Sequence, residues 1–269
     1  MNENKSLAFE SIEKVSDVIT NLSDAVWDNP ETAFLEFKST ELQCEALEKL
    51  GFTVEKNLAG IPTAFSGRWG SGKPVIGLLG EFDALSGLSQ KSCVAEKEPV
   101  VAGANGHGCG HNLIGAGAIA AAYGIKEYLE KTGKSGTVIY FGCPGEEGGS
   151  GKAFMARDGV FDELDLALTW HPMDFNCAWY VSTLANFQIN YKFTGRSAHA
   201  AANPHLGRSA LDAVELMNVG VNFLREHVIP EARMHYAFTE VGGGAPNAVQ
   251  DRATVLYYIR APKTEQVMD

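Results

Sequence analysis

Basic residues are scarce. Twenty-two lysines and arginines stand against 33 aspartates and glutamates, a formal net charge of −11 over 269 residues. Nucleic acid and anionic membrane surfaces recruit clustered Lys and Arg, so neither is an expected partner. Long hydrophobic runs are also missing. The least polar stretch, Asn112 to Gly124, is rich in glycine and alanine and too short to span a bilayer. The opening MNENKSLAFESIEKV has no apolar core of a secretory signal. Cysteine is sparse and odd in number (Cys44, Cys93, Cys109, Cys143 and Cys177), which argues against a disulfide framework and for a reducing cytoplasm. With 45% apolar and 20% charged residues, disordered and coiled-coil classes are excluded and a sizeable core is expected.

What is present reads as two parts. Phe9, Ile12, Val15, Ile19, Leu22 and Val26 follow a helical period, predicting one amphipathic helix over 6–27, and a second is expected over 36–50. Short apolar runs bounded by turn residues follow: TAFSGRW from 63, PVIGLLGEF from 74, GTVIYFGCP from 136 and LDLALTWH from 164. A helix over 112–131 lies between the second and third, with Asn112 placed to cap it. Another is expected over 150–158. Strands alternating with helices predict an α/β fold, a mostly parallel sheet with flanking helices and its ligand loops at the carboxyl ends of the strands. This catalytic domain is expected over 1–184.

From 185 to 269 the pattern becomes strand, long helix and two strands. Ala210, Val214, Met217, Val221 and Leu224 fall on one face of that helix. The order is the beginning of a ferredoxin-like α+β unit. A further helix starts after Pro262, with Thr264 as its expected cap, and the chain then stops. The expectation is that these residues form the front portion of a longer enzyme, with the second domain and the end of the first incomplete.

Four polar segments follow strand ends. In GHGCGHN, His107, Cys109 and His111 alternate within a Gly-rich loop, where thiolate and imidazole can converge on one metal ion. A Cys/His nucleophile pair is the other reading, though such pairs normally come from distant segments. PGEEGGSGK resembles a phosphate loop only superficially: Glu146 stands where its first glycine is needed and Ala153 where Ser or Thr would hold magnesium. Paired glutamates suit a different task, one holding a metal and its neighbour acting as general base on water. His171 follows the fourth apolar run. In GEFDALSG, Asp83 can fix the tautomer of a ligating histidine, while Glu81 has a weaker claim.

GEFDAL, GHGCGHN, PGEEGGSGK and TWHP, in this order and spacing, resemble the metal-dependent amidohydrolase/aminoacylase–carboxypeptidase family, and within it the aminobenzoyl-glutamate utilization branch. The likeness runs over essentially the whole chain, including GRSAHAAANPHLGRSALDAVELMN and GGGAPNAVQDRATVLYYIRAP. It implies a zinc-peptidase-like catalytic domain with a lid and dimerization domain, and two divalent ions, zinc or manganese. Cys109, His111, Glu147 and His171 match metal ligands, Glu146 the general base and Asp83 the orienting carboxylate. In the lid, His199 matches a histidine that reaches the partner's active site to polarise the scissile carbonyl. Asn247 and Arg260 match groups that contact the substrate. The implied activity is hydrolysis of an N-acyl or N-aroyl amino acid, p-aminobenzoyl-glutamate foremost, by a homodimer or a heterodimer with a related subunit.

Three departures qualify the match. Asn112 stands where many relatives carry Asp, Glu81 where they vary among His and Asp, and no residue matches the family's last ligand histidine. Alternatives within the same chemistry are an N-acyl-amino-acid amidohydrolase or a dipeptidase. Outside it stand a non-catalytic metal-binding partner subunit and a structural zinc module.

Overall fold

The computed structural model describes residues 3–179 and 181–269. The chain divides into two compact units, Met1–Phe175 and Asn176–Asp269. The sequence pattern changes slightly later, after Leu184, because the segment from 174 to 184 carries no strand or helix among its described residues.

In the first unit the helices α1 (Glu3–Glu13), α2 (Ser16–Trp27) and α3 (Phe37–Lys49) precede strands β1 (Thr53–Lys56), β2 (Phe65–Ser71) and β3 (Val75–Glu81). Then come α4 (His111–Thr132), β4 (Gly136–Cys143), the short α5 (Glu146–Gly149) and α6 (Gly151–Arg157), and β5 (Leu166–Leu168). The single helix expected over 6–27 is thus two, parted at Lys14 and Val15, where Val15 leaves helical geometry (φ −115°, ψ 12°). Asn112 is not the cap of α4. Gly110 is, at φ +79°, and the Asn112 side chain is buried, donating to Ser23 Oγ at 3.0 Å.

The five strands run in the order β1-β2-β4-β3-β5. β3 pairs in parallel with β4 and β5, while β2 joins β4 and β1 antiparallel, so the sheet is mixed rather than mostly parallel. The reason is local. The polar TVEK of β1 gives no strand signal of its own, and it forms an antiparallel pair with β2. Every residue of β4 is buried, and its side chains alternate between two cores. Val138 and Tyr140 pack with Leu47, Phe65, Phe82 and Ile119 on the face covered by α2, α3 and α4, while Ile139, Phe141 and Cys143 pack with Met155 of α6 on the other. Burying side chains of this size contributes about 1.5–3 kcal/mol each. The parallel part of the sheet sends the ends of β3, β4 and β5 in one direction, and α4 crosses from β3 back to β4, so its N-terminus opens at that same edge.

The second unit contains β6 (Ala185–Thr194), α7 (Ala210–Leu224), β7 (Arg233–Glu240), β8 (Arg252–Ala261) and α8 (Thr264–Met268). β8 lies between β6 and β7 and is antiparallel to both, which is the arrangement of an opened ferredoxin-like unit. Ser209 caps α7 through its hydroxyl, which accepts from Asp212 N at 3.0 Å. Val214 and Ala210 are buried against Val255 and Tyr257, with Met217 and Val221 partly buried beside them. Leu224, expected on the same face, is exposed. Lys263 rather than Thr264 is the cap of α8, its N–H donating to Gln266 Oε1 at 3.0 Å. Among the described residues no helix is long and apolar enough to cross a membrane.

Candidate metal centre

Asp83 organises the strand-end edge of the first unit. It lies two residues past the end of β3 and is 1% exposed. Its Oδ1 accepts from His111 Nδ1 at 3.0 Å and its Oδ2 accepts the Glu147 N–H at 2.9 Å. One carboxylate thereby holds the first residue of α4 and the loop after β4. Burial alone raises a carboxyl, but the His111 hydrogen bond and the Glu147 N–H outweigh it, and Asp83 titrates below its ordinary range. With a proton fixed on Nδ1, His111 turns Nε2 the other way.

That nitrogen is buried and has no hydrogen-bond partner, and neither has the buried Glu147 Oε1. The two lie 3.9 Å apart; Glu81 Oε2 is 3.4 Å and Glu146 Oε2 3.8 Å from the same nitrogen. On the other side, Cys109 Sγ is 3.3 Å from His171 Nε2, and His171 Nδ1 is 3.1 Å from the Pro172 carbonyl, which selects the tautomer with its Nε2 lone pair towards the sulfur. Donor atoms of Cys109, His111 and His171 all lie within 4.8 Å of one another, as do those of Glu81, His111 and Glu146. Donors bound to a cation at about 2.0–2.3 Å stand roughly this far from each other. The orphaned Nε2 and Oε1 and the mixed thiol, imidazole and carboxylate set therefore fit a divalent ion.

Local sequence explains the placement. Gly110 takes a left-handed conformation that turns the GHGCGH loop into α4, so Cys109 and His111 fall at the helix entrance. Trp170 donates to the Ile114 carbonyl at 3.2 Å and carries His171 over α4. The loop after β4 is held by Glu36, fully buried, whose Oε1 accepts the Gly145 N–H at 2.8 Å. Phe34, itself at φ +62°, lies against Gly145, Gly149 and Gly151.

The electrostatics separate the roles. Glu146 is raised by burial, then by the charges of Glu81 and Glu147. Burial, with Glu147 beside it, pushes the Cys109 thiol up to about 12, the reverse of what a thiolate nucleophile needs. Burial lowers His111, but the Asp83 hydrogen bond and the charges of Asp83, Glu81 and Glu147 more than reverse it.

Two residues fall differently from their sequence reading. His107 is not among these donors: its ring is buried, Nε2 is 3.1 Å from the Val26 carbonyl, and it stacks on Trp27 at 6.4 Å. Burial lowers it to about 4, so it is neutral at physiological pH. Replacing His107 by Gln is expected to lower the melting temperature and leave metal content unchanged, read by thermal denaturation and elemental analysis. Glu81, with the weaker claim, is as close to His111 Nε2 as any carboxylate here, and Lys152 forms an ion pair with its other oxygen. Lys152 closes the PGEEGGSGK segment, and a buried Glu at the end of the apolar β3 is the signal for its partner.

His199, Asn247 and Arg260 belong to the second unit. His199 is exposed and bridges to Ala248, and Ala200 N donates to the Asn247 carbonyl at 2.9 Å. His199 Nδ1 accepts from the N–H groups of Ala201 and Ala202, both at 3.2 Å. Arg260 lies on β8 opposite Asn186 and Arg233, with its guanidinium 5.7 Å from the Tyr258 ring centre and its buried Nε without a partner.

Residues 77–261 match the model of peptidase family M20/M25/M40. The chain belongs to this family. Within M20/M25/M40 it is 56% identical over 258 residues to a subunit of the p-aminobenzoyl-glutamate hydrolase of Escherichia coli (strain K12), covering 96% of this chain and 54% of that protein. It is 32% identical over 277 residues to the Xaa-Arg dipeptidase of Mus musculus, covering 98% of this chain and 59% of that protein. The chain thus spans about half the length of the curated relatives it matches. Among solved M20 structures, the YXEP protein of Bacillus subtilis, a dinuclear metal binding peptidase, superposes with a TM-score of 0.59 at 18% identity, covering 93% of this chain and 66% of that one. The α/β class is that of the family.

Proposed function

We propose that the chain carries the metal-binding and lid portions of a hydrolase that cleaves the amide of an N-acyl or N-aroyl amino acid, p-aminobenzoyl-glutamate foremost. The observation that carries this reading is the orphaned pair His111 Nε2 and Glu147 Oε1, with Glu146 at 3.8 Å from the same nitrogen. Cys109, His111, Glu147 and His171 would hold the ions, with Asp83 fixing the His111 ring. A bound divalent cation would supply Lewis-acid polarisation of water and of the scissile carbonyl. The Cys109 sulfur favours zinc, and the carboxylates and imidazoles suit manganese. The proposed stoichiometry is two, in keeping with the Bacillus subtilis neighbour being a dinuclear metal binding peptidase.

Glu146 takes the proton work. Its carboxylate is 44% exposed, reachable by water, and its raised pKa suits it to accept a proton from water and pass it to the leaving nitrogen. His199 has its tautomer set by two backbone N–H groups on Nδ1, so Nε2 carries a hydrogen that can be donated to the carbonyl oxygen as charge develops there. Arg260 presents a planar fork suited to a substrate carboxylate, and Asn247 an amide. The lid partner is proposed to be a second copy or a related subunit, in keeping with the Escherichia coli relative being one subunit of its hydrolase. The proposed compartment is a reducing cytoplasm that preserves the Cys109 thiol.

Release of p-aminobenzoate by the full-length, metal-loaded protein, compared with acetylated amino acids and dipeptides, tests the reading. Faster turnover of p-aminobenzoyl-glutamate is expected. Preference for dipeptides would move the assignment towards the second relative's activity, and a metal-loaded protein inert towards all three would refute hydrolysis. His199→Ala is expected to lower kcat by about 100-fold with KM little changed, as for loss of one oxyanion donor, measured by steady-state kinetics.

A further inference from the structure

Three carboxylates, from Glu81, Glu146 and Glu147, lie within 3.9 Å of one imidazole nitrogen, that of His111. Among the described residues, the cation tied to this group by an ion pair is Lys152, which bonds Glu81 Oε1. The pair is unlike the exposed ones of the same unit. Lys73 and Asp165 are 73% and 35% exposed at their side chains, whereas Lys152 and Glu81 are 28% and 11% exposed. Lys152 reaches this position because α6 starts tight against the turn that leads into α5, which carries Glu146 and Glu147: a Cβ at Gly151 would fall 2.0 Å from the Pro144 carbonyl oxygen. Half-buried charges this close are weakly screened.

We propose that Lys152 is a positioning residue for the metal centre. It holds one oxygen of Glu81, so that Glu81 offers His111 and its surroundings a single oxygen and cannot close on an ion with both. Its positive charge also offsets one of the crowded carboxylates and keeps the affinity for divalent ions below what the acidic set alone would give. The inference rests on the metal-binding reading above and adds to it a residue outside the ligand set. Neutralising Lys152 frees the second oxygen of Glu81 and makes the site more negative by one charge. The expected result is tighter binding of cations, not weaker.

The test is titration of the full-length protein, stripped of metal, with Mn(II). Lys152→Met is expected to tighten the dissociation constant by about tenfold, the effect of one charge at partly screened short range, and Lys152→Arg to retain the wild-type value. Lys152→Gln serves as a second neutral variant should Lys152→Met fail to fold. In a Glu81→Gln background, Lys152→Met should tighten binding by clearly less than it does with Glu81 present, because the charge effect on Glu146 and Glu147 remains while no Glu81 oxygen is left to release. Unchanged affinity in both neutral variants overturns the proposal, as does a tightening of the same size in the Glu81→Gln background. Wild-type protein that binds no Mn(II) overturns the metal reading and this inference together; wild-type binding with no response to Lys152 overturns this inference alone.

Discussion

Glu146→Ala is expected to lower kcat for amide hydrolysis by about 100- to 10,000-fold, the range for removal of a general base, with metal content unchanged. Both halves follow from position. Glu146 opens α5 just after the Gly145 cap, and its side chain makes no bond to the backbone that holds the loop; that task belongs to Glu36 and Asp83. Its carboxylate is the exposed member of the acidic group, at 44%, beside 23% for Glu147 and 11% for Glu81. A group that meets solvent can exchange protons with it, whereas the orphaned Glu147 oxygen is oriented inward towards His111. Kinetics and elemental analysis on one preparation decide the matter. Loss of metal in parallel with activity would make Glu146 a ligand and transfer the proton work elsewhere. Glu147→Ala should behave conversely, with metal lost first.

The second large effect is expected from Asp83→Ala, which should weaken metal binding by about 10- to 100-fold, as loss of the partner of a ligating histidine does. It should also destabilise the first unit. The substitution leaves the His111 ring N–H and the Glu147 backbone N–H without acceptors, at about 1–3 kcal/mol for each buried group left unpaired. Asp83→Asn separates the two effects. Its remaining carbonyl can serve one donor, but its amide hydrogens then face the other, so the fold should lose less stability while the His111 ring loses its fixed orientation. Thermal melts with and without added metal provide the measurement. Metal affinity unchanged in Asp83→Ala would show that His111 does not depend on this carboxylate.

Much of this centre was legible because its chemistry is carried by short motifs after apolar strands. Cys109, His111, Glu146, Glu147 and His171 come together since β3, β4 and β5 run parallel and α4 returns between them, and the alternation of apolar runs with helices already implied that topology. What escaped the sequence lay in contacts between distant residues. His107 reads as a ligand by spacing, yet Gly110 turns the loop so that His107 packs into the α2 end beside Trp27. Asn112 has the right residue type for a cap, but its partner, Ser23, is 89 positions away. β1 has no apolar alternation and exists because β2 offers it an edge. Glu36 carries no motif, and Lys152 stands at the end of PGEEGGSGK with nothing in that segment to name Glu81 as its partner. In the second unit the strand–helix–strand–strand order was readable, because Val214 and Val255 and their neighbours follow clean periods, whereas the end of α7 was not.

Phe34 has a consequence for how this sequence can change over generations. Its ring occupies the space where side chains at 145 and 149 would go, a Cβ on Gly149 falling 2.2 Å from it, while nothing lies within 4 Å of a Cβ on Gly148. Gly148 can drift independently. Positions 34 and 149 cannot: a larger residue at 149 is admissible only after Phe34 has become smaller, so the two are bound to vary as a pair although 115 positions separate them.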